Sequence, residues 1–362
     1  MREQLKISEE RLQACLQNQY GLYPITLEYL PIGLDYNAGI YRVTSEQGTA
    51  YLLKATSRPL YEPASLIPHY LNEQGITSVV APIPTTNGNL WTQLEGWTLI
   101  VYPFLEGDTS WTGMTDEQWK EVGTIFQRIH KVNLPSSGFN SLRKETFDPT
   151  EYVQWARNFE AQHLKAVNTE TSSKRVLRSS WLEHQPTIHA VVTALENLSR
   201  ILRSRMLSYV ICHADLHPAN LLRNQRGQVC VIDWDEVMLA PKERDFIFIQ
   251  LSPDDSRLLP GTPAFFQGYG DTEIDWVALT YYRYERAMQD LIACAQEVFF
   301  RDDLGEDTKA DSVRLFQSIL AEGGEIEATS QASAHLPFDL AFPTRMVSGI
   351  DKELAEREQP DA

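Results

Sequence analysis

Apolar and polar positions alternate along residues 26–55, and β-branched and aromatic side chains occupy many of the apolar positions. A period of two is typical of strands that bury one face and expose the other. Gly33, Gly39 and Gly48 interrupt the alternation at places where a turn needs backbone freedom. This part of the chain is therefore predicted to form antiparallel strands joined by turns.

The pattern then changes to a short helical segment, predicted near residues 62–73. Two further strand-like runs follow at 79–83 and 98–101, joined through the turn-rich residues 86–89. Together with the preceding strands they predict a small antiparallel sheet with one helix.

Beyond residue 107 the apolar positions recur at helical intervals. Thr115 and Gln118 have the spacing of a capping box, which marks the start of a helix. Residues 150–208 and 274–300 also have helical periodicity, with polar breaks between segments. The second part of the chain is therefore predicted to be mostly helical.

The composition is that of an ordinary globular chain. Its 362 residues are 43% hydrophobic, enough for a sizeable core and, by length, for two lobes. The formal net charge of −17 disfavours binding to nucleic-acid phosphates and to anionic membranes. An acidic cleft would attract a small cationic molecule, although acidity that only aids solubility explains the charge equally well. We expect a small-molecule partner, no nucleic acid and no membrane, with the oligomeric state, monomer or dimer, left open.

The expected compartment is a reducing cytoplasm. The four cysteines are widely scattered without a C-x-x-C pair, which argues against a disulfide framework and a structural zinc site. No run approaches the ~20 apolar residues of a membrane span. The first residues mix charges of both signs and lack a secretory signal pattern.

Residues 209–235 carry the most informative pattern of the chain. Asp215 and Asn220 stand in the spacing H-x-D-x-x-x-x-N, on a loop that leads into an apolar strand. A turn near residues 225–226 and a second apolar strand that ends at Asp233 complete a hairpin. Antiparallel pairing across that turn places Asn220 and Asp233 at the same end of the hairpin.

These side chains suit phosphoryl transfer. Mg²⁺ prefers carboxylate and amide oxygens, so Asn220 and Asp233 are the candidate metal ligands. Asp215 is the candidate catalytic carboxylate, because it can accept or orient a substrate hydroxyl beside a metal-held phosphate. A purely structural hairpin is the alternative, but the joint spacing has one mechanical explanation. His213 and His217 are expected to hold the loop by hydrogen bonds to the backbone rather than to transfer protons.

With these motifs, the chain resembles the aminoglycoside phosphotransferase family of the protein-kinase-like superfamily. Residues 213–220 and 232–235 match the branch in which Phe-Gly does not follow the metal-loop aspartate. Residues 236–245 and 281–286 extend the similarity to the spectinomycin phosphotransferases within that family. The resemblance covers most of the chain to about residue 300. It implies an α+β, bilobal protein-kinase-like fold and a requirement for ATP (or GTP) and Mg²⁺.

The resemblance also assigns nucleotide-binding positions. Lys54, at the end of a predicted strand, is similar to the lysine that binds the α- and β-phosphates. Glu62 would be its ionic partner, with Glu73 as the alternative. Tyr102 and Phe104 lie on the segment similar to the linker between lobes, whose backbone groups bind the purine.

Three further expectations concern the surroundings of the site. Asp235 is the candidate ligand of a cationic substrate, with a solvated surface carboxylate as the alternative. Asp245 is expected to brace the backbone rather than to contact substrate. Residues 32–39 correspond to the phosphate-covering loop, but they depart from its glycine-rich pattern, so no side chain there is given a role.

The predicted organisation is a nucleotide-binding lobe over residues 1–101, a linker over 102–107 and a catalytic and substrate-binding lobe over 108–362. The predicted reaction is transfer of the γ-phosphate of ATP or GTP to a hydroxyl of an aminoglycoside or aminocyclitol such as spectinomycin. A metabolic kinase acting on choline, homoserine or methylthioribose shares the motifs and stays an alternative. A catalytically silent nucleotide-binding regulator is disfavoured, because the lysine, the catalytic carboxylate and both metal ligands are present.

Overall fold

The structure is a computed structural model that describes residues 7–33, 37–110, 112–165, 171–249 and 262–336. These residues form two compact units. The first lies within Met1–Lys144, Val210–Asp245 and Gly261–Asp271, and the second within Glu145–Tyr209, Phe246–Pro260 and Thr272–Ala362. The lobe boundaries predicted at 102–107 remain a prediction.

Helices and strands follow one another along both units. The helices are α1 Glu9–Tyr20, α2 Pro63–Glu73, α3 Asp116–His130, α4 Thr150–His163, α5 Ser172–Glu183, α6 Gln185–Arg203, α7 Thr262–Tyr269, α8 Trp276–Phe300, α9 Glu306–Leu320 and α10 Glu325–Ala332. The strands are β1 Pro24–Leu30, β2 Ala38–Ser45, β3 Ala50–Thr56, β4 Thr92–Leu94, β5 Trp97–Pro103, β6 Gly107–Asp108, β7 Val210–Cys212, β8 Leu221–Asn224, β9 Val229–Val231 and β10 Met238–Ala240. Short 3-10 helices lie at Pro218–Asn220, Lys242–Phe246 and Ser333–His335.

The first unit contains the expected antiparallel sheet. Its five strands are ordered β1-β2-β3-β5-β4, and every neighbouring pair is antiparallel. Lys54 on β3 lies between Ile40 on β2 and Ile100 on β5, so strands on both sides fix its backbone. The predicted α+β fold, with an N-terminal antiparallel sheet and a helical C-terminal part, is confirmed.

Two helices accompany this sheet. Helix α2 confirms the helix predicted near 62–73, whereas the sequence reasoning did not include α1. Helix α1 starts at Ser8, whose hydroxyl accepts the Arg11 amide, and ends at Gly21 with φ of 65°. Its buried face packs in one apolar cluster with the sheet, which includes Leu12, Leu16, Tyr41, Val43, Leu53 and Val101.

The strand predicted over 79–83 is wrong. Val79 forms only an isolated parallel bridge with Val231, and Ile83 donates a single hydrogen bond to the carbonyl of Val101. Pro82 and Pro84 have no N–H to give to a ladder, so continuous pairing is not possible here. The strand that pairs with the second edge of β5 is instead β4, which begins at Thr92.

Helix α3 is capped as the sequence predicts. Thr115 accepts the Gln118 amide, and the Gln118 side chain accepts the Thr115 amide, so both halves of the capping box are present. In the same unit α3 packs against α7 at very short range. A Cβ atom at Gly123 would overlap the backbone carbonyl of Phe265, and one at Gly268 would overlap that of Lys120. Glycine at both positions lets the two backbones touch.

The second unit is helical, as predicted for residues 150–208 and 274–300. Helix α8 is its longest helix among the described residues and begins at Asp275, which accepts the amides of Val277 and Ala278. Tyr281 and Tyr282 on α8 are fully buried. In the described ranges, no helix has both the length and the apolar character of a membrane span.

Candidate functional site

The hairpin of β8 and β9 has the predicted register. Leu221 lies opposite Val231, and the Ile232 amide donates to the Asn220 carbonyl at 3.0 Å. Asn220, one residue beyond Leu221, and Asp233, two residues beyond Val231, therefore lie at the same end of the hairpin. The predicted placement of both residues at one end of the hairpin is confirmed, and their joint role as metal ligands stays a prediction.

Asn220 holds the loop that carries Asp215. Its amide nitrogen donates to the Asp215 carbonyl at 2.8 Å and to Asp215 Oδ2 at 3.2 Å. Asn220 itself is buried, whereas the Asp215 side chain keeps 23% of its surface exposed. The carboxylate is thus fixed from one side and open to solvent on another.

His213 holds the same loop through the backbone, as expected. Its Nε2 lies 2.9 Å from the Ile232 carbonyl, and its Nδ1 lies 3.3 Å from the Asp215 amide. Because a carbonyl only accepts and an amide N–H only donates, Nε2 carries the hydrogen and Nδ1 accepts. The ring is fully buried and joins the strand end to the loop.

His217 makes a contact that the sequence did not predict. Its Nε2 lies 3.3 Å from Asp215 Oδ2 and 3.3 Å from the Asn220 side-chain nitrogen. It therefore contacts the carboxylate of Asp215 itself rather than only the loop backbone. The sequence feature that could have predicted this contact is the position of His217 two residues after Asp215 in the motif.

The backbone is strained at two positions of the site. Ala214 has φ of 68° and Asp233 has φ of 60°, which is the left-handed region that costs an ordinary residue about 1–2 kcal/mol. Asp245 accepts the Ala214 amide on Oδ1 at 2.7 Å and the His213 amide on Oδ2 at 3.1 Å. Its side chain is fully buried, so the bracing role expected for Asp245 is confirmed.

Lys54 forms ion pairs with two carboxylates beyond the hairpin. Its Nζ lies 3.1 Å from Asp233 Oδ1 and 2.6 Å from Asp235 Oδ2, and its side chain is only 12% exposed. Burial alone would lower the pKa of Lys54, but the two carboxylates outweigh it and raise that pKa above its ordinary value. The ammonium of Lys54 therefore stays charged.

The two carboxylates shift in opposite directions. Burial raises the pKa of Asp235 above its ordinary value, and the neighbouring Asp233 charge adds to that. For Asp233, burial also acts upwards, but Lys54 outweighs it and lowers the pKa. Asp233 is therefore the better anion of the two.

The acidic partners expected for Lys54 on and near α2 lie elsewhere. Glu62 is an exposed residue immediately before α2, and Glu73 pairs with His69 at 3.4 Å. Among the described residues, the ion pairs of Lys54 are those with Asp233 and Asp235 and not with Glu62. A role for Glu62 in nucleotide binding stays a prediction.

Tyr102 and Phe104 lie where β5 ends. Tyr102 pairs with Leu52 on β3, and burial raises the pKa of its hydroxyl despite the nearby Lys54 charge. Phe104 donates its amide to the Ala50 carbonyl at 3.3 Å, and the Arg42 guanidinium lies 4.6 Å from its ring centre. Of the expected phosphate loop, residues 34–36 lie outside the described residues.

Tyr61 and Arg143 fix the segment that follows the metal-loop aspartate. The Tyr61 hydroxyl donates to the Val237 carbonyl at 2.7 Å and accepts the Arg143 amide at 3.0 Å. The Arg143 guanidinium stacks 4.1 Å from the Tyr61 ring centre and donates to the Asp235 carbonyl at 2.9 Å. Sequence reasoning missed both residues, because nothing in their local pattern shows a contact with residues more than 90 positions away.

The donor set fits a hard divalent cation. Asp233 offers a carboxylate whose side chain is half exposed, Asn220 offers an amide oxygen at the same hairpin end, and Asp215 is near enough to act on the Asp233 charge. Oxygen donors of this kind suit Mg²⁺, which keeps several positions for water and phosphate oxygens.

Comparisons with known proteins show the family of this chain. The model of the phosphotransferase enzyme family matches residues 28–282, more than two thirds of the chain. Protein StrN of Streptomyces griseus is 26% identical over 234 residues, which cover 62% of this chain and 69% of that protein.

Solved structures give a closer likeness. Spectinomycin phosphotransferase APH(9)-Ia, in complex with ADP and spectinomycin, has a TM-score of 0.79 and 28% identity, over 91% of this chain and 99% of its own. An amicoumacin kinase in complex with AMP-PNP, Ca²⁺ and its ligand has a TM-score of 0.59 and 18% identity, over 87% of this chain and 93% of its own. At that identity the second likeness shows the fold alone.

Proposed function

Because the chain belongs to the phosphotransferase enzyme family, whose members phosphorylate alcohol groups, we propose that it transfers the γ-phosphate of ATP or GTP to an antibiotic hydroxyl. The proposed acceptor is an aminoglycoside or aminocyclitol, with spectinomycin first. The observation that carries the choice of acceptor is the likeness, over 91% of this chain, to a phosphotransferase solved with ADP and spectinomycin. The net charge of −17 is in keeping with a cationic acceptor.

The proposed catalytic residue is Asp215. The acceptor hydroxyl oxygen forms a bond to the γ-phosphorus while the bond from that phosphorus to the β,γ-bridging oxygen breaks. The hydroxyl proton passes to the Asp215 carboxylate, and the nucleoside diphosphate leaves with the bridging oxygen. Asn220 and His217 keep the carboxylate oriented through their contacts with Oδ2.

The other site residues bind and orient the reactants. Asn220 and Asp233 are the proposed Mg²⁺ ligands, and the bound cation would neutralise charge on the phosphate oxygens. Lys54 is proposed to bind the α- and β-phosphates. The backbone near Tyr102 and Phe104 is proposed to bind the purine.

Two further carboxylates are given roles from the family resemblance. Asp235 is proposed to face a substrate ammonium group. Its carboxylate is 38% exposed, so a ligand can reach it even while Lys54 is paired with it. Glu62 is proposed to approach Lys54 once nucleotide is bound, since its side chain is exposed and not committed to an ion pair with that lysine in this structure.

The test is Mg²⁺-dependent ADP release from ATP with spectinomycin, several aminoglycosides, choline and homoserine, with product mass measured for each acceptor. We expect turnover with spectinomycin or an aminoglycoside and a gain of one phosphate in the product. Asp215→Asn should lower kcat by about 10²–10⁴-fold while ATP still binds. Asp271→Asn, an exposed aspartate of the same unit, is the matched control and should keep wild-type turnover.

Two outcomes would contradict the proposal. Turnover with choline or homoserine alone would replace the antibiotic by a metabolic alcohol. Full activity of Asp215→Asn would remove the carboxylate from its proposed role.

A further inference from the structure

Behind the strained loop, three side chains form a continuous chain of hydrogen bonds. The hydroxyl of Tyr269, the last residue of α7, lies 2.8 Å from His130 Nδ1. His130, the last residue of α3, places Nε2 at 2.9 Å from Asp245 Oδ2. Asp245 in turn accepts the backbone amides of His213 and Ala214, the two residues before Asp215. The chain thus runs from the end of α7 to the loop of Asp215.

The Asp245 carboxylate determines which atoms donate and which accept along this series of hydrogen bonds. The Asp245 carboxylate accepts two backbone amides, so it accepts a third hydrogen from His130 Nε2. In the neutral ring Nδ1 is then the acceptor, and the Tyr269 hydroxyl donates to it. Burial, with the Asp245 charge adding to it, raises the pKa of Tyr269, so the hydroxyl keeps its proton.

Tyr269 has little freedom to leave this position. Gly268, the residue before it, lies against the Lys120 carbonyl of α3, and Gly123 lies against the Phe265 carbonyl of α7. The Gln127 side chain donates to the Tyr269 carbonyl at 2.7 Å. Direct backbone contact and this bond tie the end of α7 to α3.

The same place could be read as a metal site, because ligand atoms of His130, Cys212 and Asp245 lie within 4.8 Å of one another. Each of these atoms is already engaged. Asp245 holds two amides and His130, and Cys212 Sγ lies 3.5 Å from the carbonyls of Ala240 and Pro241. A metal ion would have to break the bonds that hold the loop, so a positioning role fits the geometry better.

We propose that Tyr269 is a positioning residue for Asp215: its hydroxyl holds His130 in the orientation that completes the hydrogen bonds of Asp245, which also accepts the backbone amides of His213 and of the strained Ala214. This inference rests on the proposed role of Asp215. Without the hydroxyl, His130 Nδ1 loses its donor and the ring can reorient or change tautomer. Asp245 then holds the Ala214 backbone less firmly, and the Asp215 carboxylate spends less time in its productive position.

The kinetic test compares Tyr269→Phe with Tyr20→Phe. Tyr20 is also buried, and its hydroxyl donates to the Leu99 carbonyl at 3.2 Å on the N-terminal sheet, so its loss is a matched change away from the loop. Tyr269→Phe should lower kcat about five- to tenfold, the effect of one buried hydrogen bond, and leave KM for ATP unchanged. Tyr20→Phe should lower Tm and leave kcat unchanged.

Two further readouts need no acceptor, so they separate a failed positioning role from a failed substrate assignment. Hydrogen exchange of peptides spanning residues 210–216 should be faster in Tyr269→Phe than in the wild type and Tyr20→Phe. Nitrogen-15 NMR of labelled histidines, with His130 assigned from its absence in His130→Gln, should show an unprotonated Nδ1 in the wild type. That signal should move in Tyr269→Phe.

One result would overturn the proposal. If Tyr269→Phe lowers Tm as Tyr20→Phe does, but keeps wild-type exchange at 210–216, the wild-type His130 signal and wild-type kcat, Tyr269 serves only the packing of α7.

Discussion

Glu325, the first residue of α10, is a carboxylate whose shifted pKa makes the stability of the protein depend on pH. Burial is the main cause that raises its pKa to about 7 from its ordinary value of 4.5, and the charge of Asp290 adds to it. Arg286 and Arg283 act in the opposite direction but do not offset the burial. Arg286 is itself paired with Asp290 at 3.0 Å, which weakens the stabilisation that its positive charge gives to the ionised form of Glu325.

The sign follows from proton binding. Between pH 4.5 and 7 the folded chain holds the Glu325 proton more tightly than the unfolded chain does, so the free energy of unfolding falls as pH rises through that window. Since a tenfold change in an equilibrium constant is worth about 1.4 kcal/mol, the full loss is about 3 kcal/mol above pH 7. Glu325→Gln removes the titrating group and with it this loss.

The assay is chemical denaturation of wild type and Glu325→Gln at pH 5 and pH 8. Relative to wild type, the variant should be stabilised by about 2–3 kcal/mol more at pH 8 than at pH 5. Glu322→Gln, which removes the same charge from an exposed position three residues earlier, is the control and should show no such difference. An equal effect of Glu325→Gln at both pH values would refute the reasoning, because a partly buried carboxyl that does not titrate in this window cannot make the free energy of unfolding depend on pH there.

Two further predictions concern packing and nucleotide binding. Gly268→Ala should destabilise the protein by about 1–3 kcal/mol in denaturant unfolding, because the new methyl group overlaps the Lys120 carbonyl, whereas Gly305→Ala has open space around its Cβ and should not. Lys54→Met should weaken ATP binding, measured by calorimetry, by about tenfold or more, because it removes a charge-assisted contact. Unchanged affinity would exclude Lys54 from the proposed phosphate site.

Periodicity and turn chemistry sufficed for the fold wherever the information was local. Strands β1, β2 and β3, the capping box of α3 and the hairpin register each follow from residues close together in sequence. The run at 79–83 misled because its apolar side chains are typical of a strand, while Pro82 and Pro84 prevent the pairing that makes one. Apolar composition reports burial and does not by itself report hydrogen bonding.

In the candidate site, too, the residues in a local motif could be predicted and their distant partners could not. Asp215, Asn220 and Asp233 stood out because the proposed metal binding and proton transfer restrict residue type at fixed spacing. The partners of Lys54 did not, because Asp233 and Asp235 are 179 and 181 residues away and only the folded chain brings them together. Tyr61, His130, Arg143 and Tyr269 are ordinary in their own sequence surroundings, and no local pattern marks them.

The strained backbone explains why so many of these remote partners are needed. Ala214 and Asp233 both adopt the left-handed region, and each precedes or carries a group proposed to act on the phosphate. An isolated loop would relax from that conformation, since neither residue is glycine. Asp245 prevents this at Ala214 by accepting two amides, and at Asp233 the bond from Ile232 to Asn220 and the ion pair with Lys54 hold the chain on either side. The residue types at the positions proposed to touch the reactants are thus set by chemistry. Their geometry depends on polar contacts contributed from α3, β3 and the segment after β10.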